Sequence, residues 1–119
     1  MAGGMEQGLR HIALKTRDLR GTERFYRGVL GFRIAFPHRG MIFLETPGGR
    51  DLLNFVPTRR RFDPRAGGLD HFGLHVPRAR WRSVCERVRR AGVRIRGRRG
   101  RTAVYIEDPN GYTVELYCD

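Results

Sequence analysis

Gly8-Leu9-Arg10-His11-Ile12-Ala13-Leu14 returns as Gly68-Leu69-Asp70-His71-Phe72-Gly73-Leu74, at an offset of 60 residues. Leu30-Gly31-Phe32-Arg33-Ile34 returns as Ala91-Gly92-Val93-Arg94-Ile95, and Glu45-Thr46-Pro47-Gly48-Gly49 returns as Glu107-Asp108-Pro109-Asn110-Gly111. One structural unit is therefore used twice. At the shift that aligns Gly31 with Gly92, Glu115 falls opposite Asn54. The repeat thus relates four polar positions in apolar strand patterns: His11, Asn54, His71 and Glu115.

Working outward, residues 9–16 alternate as a strand, and Asp18 is placed to cap a helix with Leu19, Thr22, Phe25, Tyr26, Val29 and Leu30 on one face. Gly31 stops that helix, and strands are expected over 33–37, 41–45 and 51–56. The second half repeats the order, with a strand over 69–76, a helix over 78–91 whose buried stripe is Trp81, Val84, Cys85 and Val88, and a strand over 93–96. A hairpin then pairs 102–107 with 112–118 across Asp108-Pro109-Asn110-Gly111, where Asn and Gly tolerate positive φ.

The predicted class is α+β, with two βαβββ modules over about 8–57 and 68–118 in a single domain of 119 residues, joined by a polar connector over about 58–67 without regular structure. Each module exposes the concave face of a four-stranded sheet that it cannot bury alone. Two such faces are expected to pair, within one chain or between chains, and to leave a cleft lined by both.

No apolar run approaches the ~20 residues that span a bilayer, and the first seven residues lack the basic start and apolar stretch of a signal peptide. The expectation is a cytoplasmic protein without a membrane partner. Cys85 and Cys118 have neither metal-site spacing nor disulfide-scaffold density, and are read as packed thiols. The net charge of +12 comes almost wholly from arginine, Lys15 being the single lysine, and it is spread through loops, helix faces and strand edges. It is read as a solvated surface. With no helix-turn-helix, zinc finger or aromatic RNA-binding motif, nucleic acid is not an expected partner.

Alternate strand residues share a face, so His11 lies with Ala13 and Lys15, His71 with Gly73 and His75, and Glu115 with Thr113 and Tyr117. A single histidine in an apolar strand is ordinarily a hydrogen-bonded core residue. Two at equivalent positions of a repeat, with a carboxylate at a third, make a facial ligand set for a divalent metal and leave room opposite for substrate.

The sequence resembles the vicinal-oxygen-chelate superfamily of glyoxalases, bleomycin-resistance proteins and dioxygenases. The resemblance runs over about 9–117 and is carried by Leu9-Arg10-His11-Ile12-Ala13-Leu14, Phe25-Tyr26-Arg27-Gly28-Val29-Leu30-Gly31-Phe32, Leu69-Asp70-His71-Phe72-Gly73-Leu74 and Glu107-Asp108-Pro109-Asn110-Gly111-Tyr112-Thr113-Val114-Glu115-Leu116. It implies that His11, His71 and Glu115 are metal ligands for Fe, Mn, Ni, Zn or Co. It also implies that small relatives complete their sites by pairing modules between subunits, hence a homodimer.

In glyoxalase I a glutamate serves as fourth ligand and base. Here that position is Asn54, expected either to be a weak oxygen ligand or to line the substrate pocket; because an amide cannot take the carbon-bound proton, it disfavours glyoxalase I itself. Tyr105 precedes Glu115 by ten residues, the spacing of an active-site tyrosine in fosfomycin transferases and extradiol dioxygenases. A three-residue hairpin loop sets Tyr105 opposite Glu115, and a two-residue loop sets Ile106 there. His75 is the candidate acid or base of dioxygenase type. With four residues after Glu115, a C-terminal arm of the fosfomycin-transferase kind is not expected, and Ala13 stands where a threonine is expected.

The resulting expectation is a metal-dependent enzyme, of lyase, isomerase or dioxygenase type, that chelates vicinal oxygens of an anionic or aromatic small molecule. The alternative is a non-catalytic small-molecule binding or resistance protein of the same fold.

Overall fold

In the computed structural model, which describes residues 3–5 and 8–119, strand β1 (His11–Thr16) opens the first module. Of the N-terminal stretch read for a leader, residues 1, 2, 6 and 7 lie outside the described ones. Asp18 accepts a hydrogen bond from the Gly21 amide at 2.9 Å and so caps helix α1 (Leu19–Arg24). The single helix expected from the sequence is in fact two pieces, because Phe25–Val29 forms a wider π-helical turn. That turn accompanies the burial of two consecutive rings, Phe25 and Tyr26, whose centroids lie 5.1 Å apart edge to face. Gly31, at φ +80°, ends the segment.

Strands β2 (Arg33–Ile34), β3 (Ile42–Glu45) and β4 (Leu52–Pro57) follow. β2 is shorter than the expected 33–37. The connector holds one 3-10 turn at Pro64–Ala66, where the sequence argued for none. The second module contains β5 (Phe72–His75), a 3-10 turn at Arg78–Arg80, helix α2 (Trp81–Arg90), and strands β6 (Ile95–Arg99), β7 (Ala103–Glu107) and β8 (Thr113–Tyr117).

Two expectations shift here. His71 immediately precedes its strand rather than lying inside it. β6 begins two residues late and runs to Arg99, with a bulge between Ile95 and Gly97 that re-aims Arg96.

The sheets have matching orders, β1-β4-β3-β2 and β5-β8-β7-β6, each with a parallel pair at the first strand and antiparallel pairs elsewhere. Ala13 pairs with Asn54, and Asn54 with Phe43. In the second sheet Gly73 pairs with Glu115, and Glu115 with Tyr105. The internal repeat therefore holds at the level of single residues.

One face of each sheet goes to the core, where Leu14, Leu44, Leu53 and Phe55 join Val104, Ile106, Val114 and Leu116 in one cluster with Tyr26 and Val88. Full burial of a side chain such as Phe55 or Ile106 stabilises the fold by about 1.5–3 kcal/mol. Cys118 is buried and Cys85 half-buried, neither in a disulfide. Among the described residues no helix is long and apolar enough to cross a membrane.

The modules are also tied by polar bonds at the β7–β8 turn. The Tyr26 hydroxyl donates to Asp108 at 2.7 Å, Thr16 donates to Asn110, and the Tyr112 hydroxyl donates to the Lys15 carbonyl at 2.9 Å. Asn110 keeps φ negative, contrary to the turn expected there, and spends its side chain on these bonds. Gly111, at φ +95°, takes the left-handed conformation instead.

Candidate functional site

The face of each sheet turned away from the core carries the polar residues. On β1 it presents His11, Ala13 and Lys15, all exposed, while Ile12, Leu14 and Thr16 turn inward. On the second sheet it presents His71, Gly73 and His75 beside Thr113, Glu115 and Tyr117, with Tyr105 and Glu107 on the next strand.

Here two of the candidate ligands meet. His71 Nε2 lies 3.5 Å from Glu115 Oε1. That is beyond a good hydrogen bond, and it approaches the ~3.4 Å spanned by two ligands bonded at about 2.1 Å to one tetrahedral cation. The other atoms of both side chains are engaged from behind. Asp70 Oδ1 lies 2.6 Å from His71 Nδ1, and Arg99 Nη2 donates to Glu115 Oε2 at 2.7 Å. A carboxylate behind a histidine and a donor behind a carboxylate are the partners that orient metal ligands.

The hydrogen bond from Arg99 holds the Glu115 carboxyl below its ordinary value, against burial, so it is an anion at neutral pH. Gly73 makes the close approach possible. A Cβ there would sit 3.3 Å from Glu115 Oε1 and 3.2 Å from Tyr117 Cε1. The donor set thus fits two positions of a divalent cation's shell.

His11 is not brought to this pair within one chain. Among the described residues no group of three or more His, Cys, Asp or Glu side chains is placed to hold a metal ion. Asn54 is 5% exposed, and its amide donates to the Ile42 carbonyl at 3.1 Å, beside Met41.

Tyr105 lies directly opposite Glu115, and its ring meets the His71 ring edge-on at 5.3 Å. Of the two registers open from the sequence, the structure takes the one with Tyr105, not Ile106, across from Glu115. His75 stands apart, its Nε2 3.3 Å from Asp119 Oδ1, in a cavity of about 720 Å³ that Tyr117, Arg80 and Arg87 also line.

Asp70 and Arg99 were missed in the sequence. Asp70 had a signal in its adjacency to His71. Arg99 had none beyond membership of an arginine-rich run.

A family model described as the Glyoxalase/Bleomycin resistance protein/Dioxygenase superfamily matches residues 8–116. An iron-dependent extradiol dioxygenase of Rhodococcus jostii is 28% identical over 131 residues, covering 96% of this chain and 44% of that protein. This chain therefore spans under half of the dioxygenase. Glutathione transferase FosA of Serratia marcescens is 24% identical, covering 95% of this chain and 82% of that protein. The crystal structure of a glyoxalase/dioxygenase from Nostoc punctiforme superposes with a TM-score of 0.81 at 21% identity, covering 100% of this chain and 95% of that one.

Proposed function

The chain belongs to the Glyoxalase/Bleomycin resistance protein/Dioxygenase superfamily, and on that premise we propose that it is a metal-dependent enzyme acting on a small molecule with two adjacent oxygens. His71 and Glu115 of one copy and His11 of a second copy are the proposed ligands. The observation that carries this reading is the approach of His71 Nε2 to Glu115 Oε1, each oriented from behind by Asp70 and Arg99.

A divalent cation bound there supplies Lewis acidity toward the two substrate oxygens. The protein's own groups do the rest. Asp70 keeps the His71 ring oriented, with Nε2 as the free electron pair. Arg99 fixes one carboxylate oxygen of Glu115 and leaves the other for the cation. Tyr105, across the strand from Glu115, is the proposed proton donor or acceptor at the substrate. His75, with Asp119 at its Nε2, is a second proposed acid or base. Asn54 carries no proton-abstracting group, so a glutamate-based isomerisation of the glyoxalase I kind is not part of the proposal.

The test is metal content. Purified protein should hold a divalent ion stoichiometrically, and His11→Ala, His71→Ala and Glu115→Gln should each lose it. Glu45→Gln, at a strand end and paired with Arg33, should keep it. Full metal occupancy in Glu115→Gln refutes the ligand set. A protein without metal that still binds small molecules in the same cleft is a binding protein instead.

A further inference from the structure

Thr113 lies two residues before Glu115 on the same face, about 7 Å away along the strand. It borders a second cavity, of about 410 Å³, whose charged lining is Arg65 from the connector, Arg96 from β6 and Asp70. Arg96 reaches this face through the bulge and pairs with Glu107, whose strand neighbour is Thr113. Its Nε is buried and, among the described residues, has no hydrogen-bond partner. A buried donor without an acceptor is a cost that an incoming acceptor removes. Burial, and then the charges of Arg65 and Arg94, push the Arg96 guanidinium down, so Arg65 stands near enough for Arg96 to feel its charge.

Arg96 is paired with Glu107 and Asp70 is held by His71, which leaves Arg65 as the cation of the lining without an ion pair among the described residues. One unpaired cation beside one unsatisfied guanidinium N–H suits a single negative charge, and planar guanidinium donors suit a carboxylate.

We propose that the substrate is a small organic acid whose carboxylate sits between Arg65 and Arg96 beside the Thr113 hydroxyl, its two adjacent oxygens lying about 7 Å away at Glu115 and His71. The chelating end of this assignment rests on the metal reading above; the carboxylate subsite does not. Asp70 is the wall common to both, lining the cavity with one side and holding His71 with the other. A ligand that fills the cavity is thereby kept in register with the histidine.

The subsite is tested without metal, by titrating the EDTA-treated full chain with glutarate and following backbone amide shifts. Arg65→Gln and Thr113→Val should each weaken glutarate roughly tenfold, as loss of a charge-assisted or hydroxyl bond does. Arg96 is left intact, because its pair with Glu107 is structural. Arg59→Gln removes the same charge from the same connector and should change the affinity by less than about twofold. An unchanged affinity in Arg65→Gln, or an equal loss in Arg59→Gln, overturns the subsite. Absence of bound metal with the glutarate difference intact overturns only the metal reading. The converse result overturns only the carboxylate subsite.

Discussion

Asp108 and Tyr26 show at the residue scale how a buried polar pair is held. Asp108 is 3% exposed and accepts hydrogen bonds from the Tyr26 hydroxyl and from the Asn110 and Tyr112 amides. Burial raises its carboxyl above the ordinary value, and those bonds oppose the rise. Burial also raises the Tyr26 phenol well above 10.0, with the Asp108 charge adding to it. A group whose folded value is raised contributes stability that is complete below its unfolded value and lost as pH rises toward the folded one. Stability should therefore fall above about pH 10, where the unfolded phenol ionises and the buried one does not. Tyr26→Phe should flatten that alkaline slope in urea titrations at several pH values. At neutral pH it should cost about 1–3 kcal/mol, because Asp108 loses a partner in a dry site. A wild-type slope surviving in Tyr26→Phe would place the alkaline sensitivity elsewhere.

The elements decide which of these residues were legible beforehand. Strand alternation and the repeat were enough to put His71, Glu115 and Gly73 on one face, because alternation depends only on positions close in the chain and the repeat is read by comparing the two halves directly. Arg96 and Arg99 were not legible, because their contacts depend on the register of β6, which a bulge displaces and extends. The same limit hid the π-helical turn, which accompanies the burial of Phe25 and Tyr26, and the negative φ of Asn110, whose side chain bonds to the other module. Gly73 gives an element-scale prediction. Gly73→Val adds bulk where a Cβ alone already crowds Glu115 and Tyr117, so metal affinity should fall at least tenfold while the far-ultraviolet circular dichroism is kept. Unaltered affinity would mean that Glu115 does not ligate from this position. Gly111→Ala, which forces a side chain onto φ +95°, should cost about 1–2 kcal/mol by thermal unfolding and leave metal stoichiometry unchanged.

The whole molecule buries one face of each sheet and leaves the ligand-bearing faces outward, with His11 away from His71 and Glu115. A second copy is the natural complement, and a dimer burying well over ~1,000 Å² is expected by sedimentation at micromolar concentration. Mixing decides where the third ligand originates. His11→Ala and His71→Ala chains, each metal-free alone, should regain about one site in four when unfolded and refolded together, since half of the random dimers pair intact ligands once. No recovery would mean that each site is built within one chain. Arg99 adds a last consequence. Because its guanidinium already compensates Glu115, that carboxylate does not need a cation to be held in the folded chain, and the chain is expected to fold without metal. Metal starvation should then leave cells with a normal amount of intact, idle protein that is switched on by supply rather than by new synthesis.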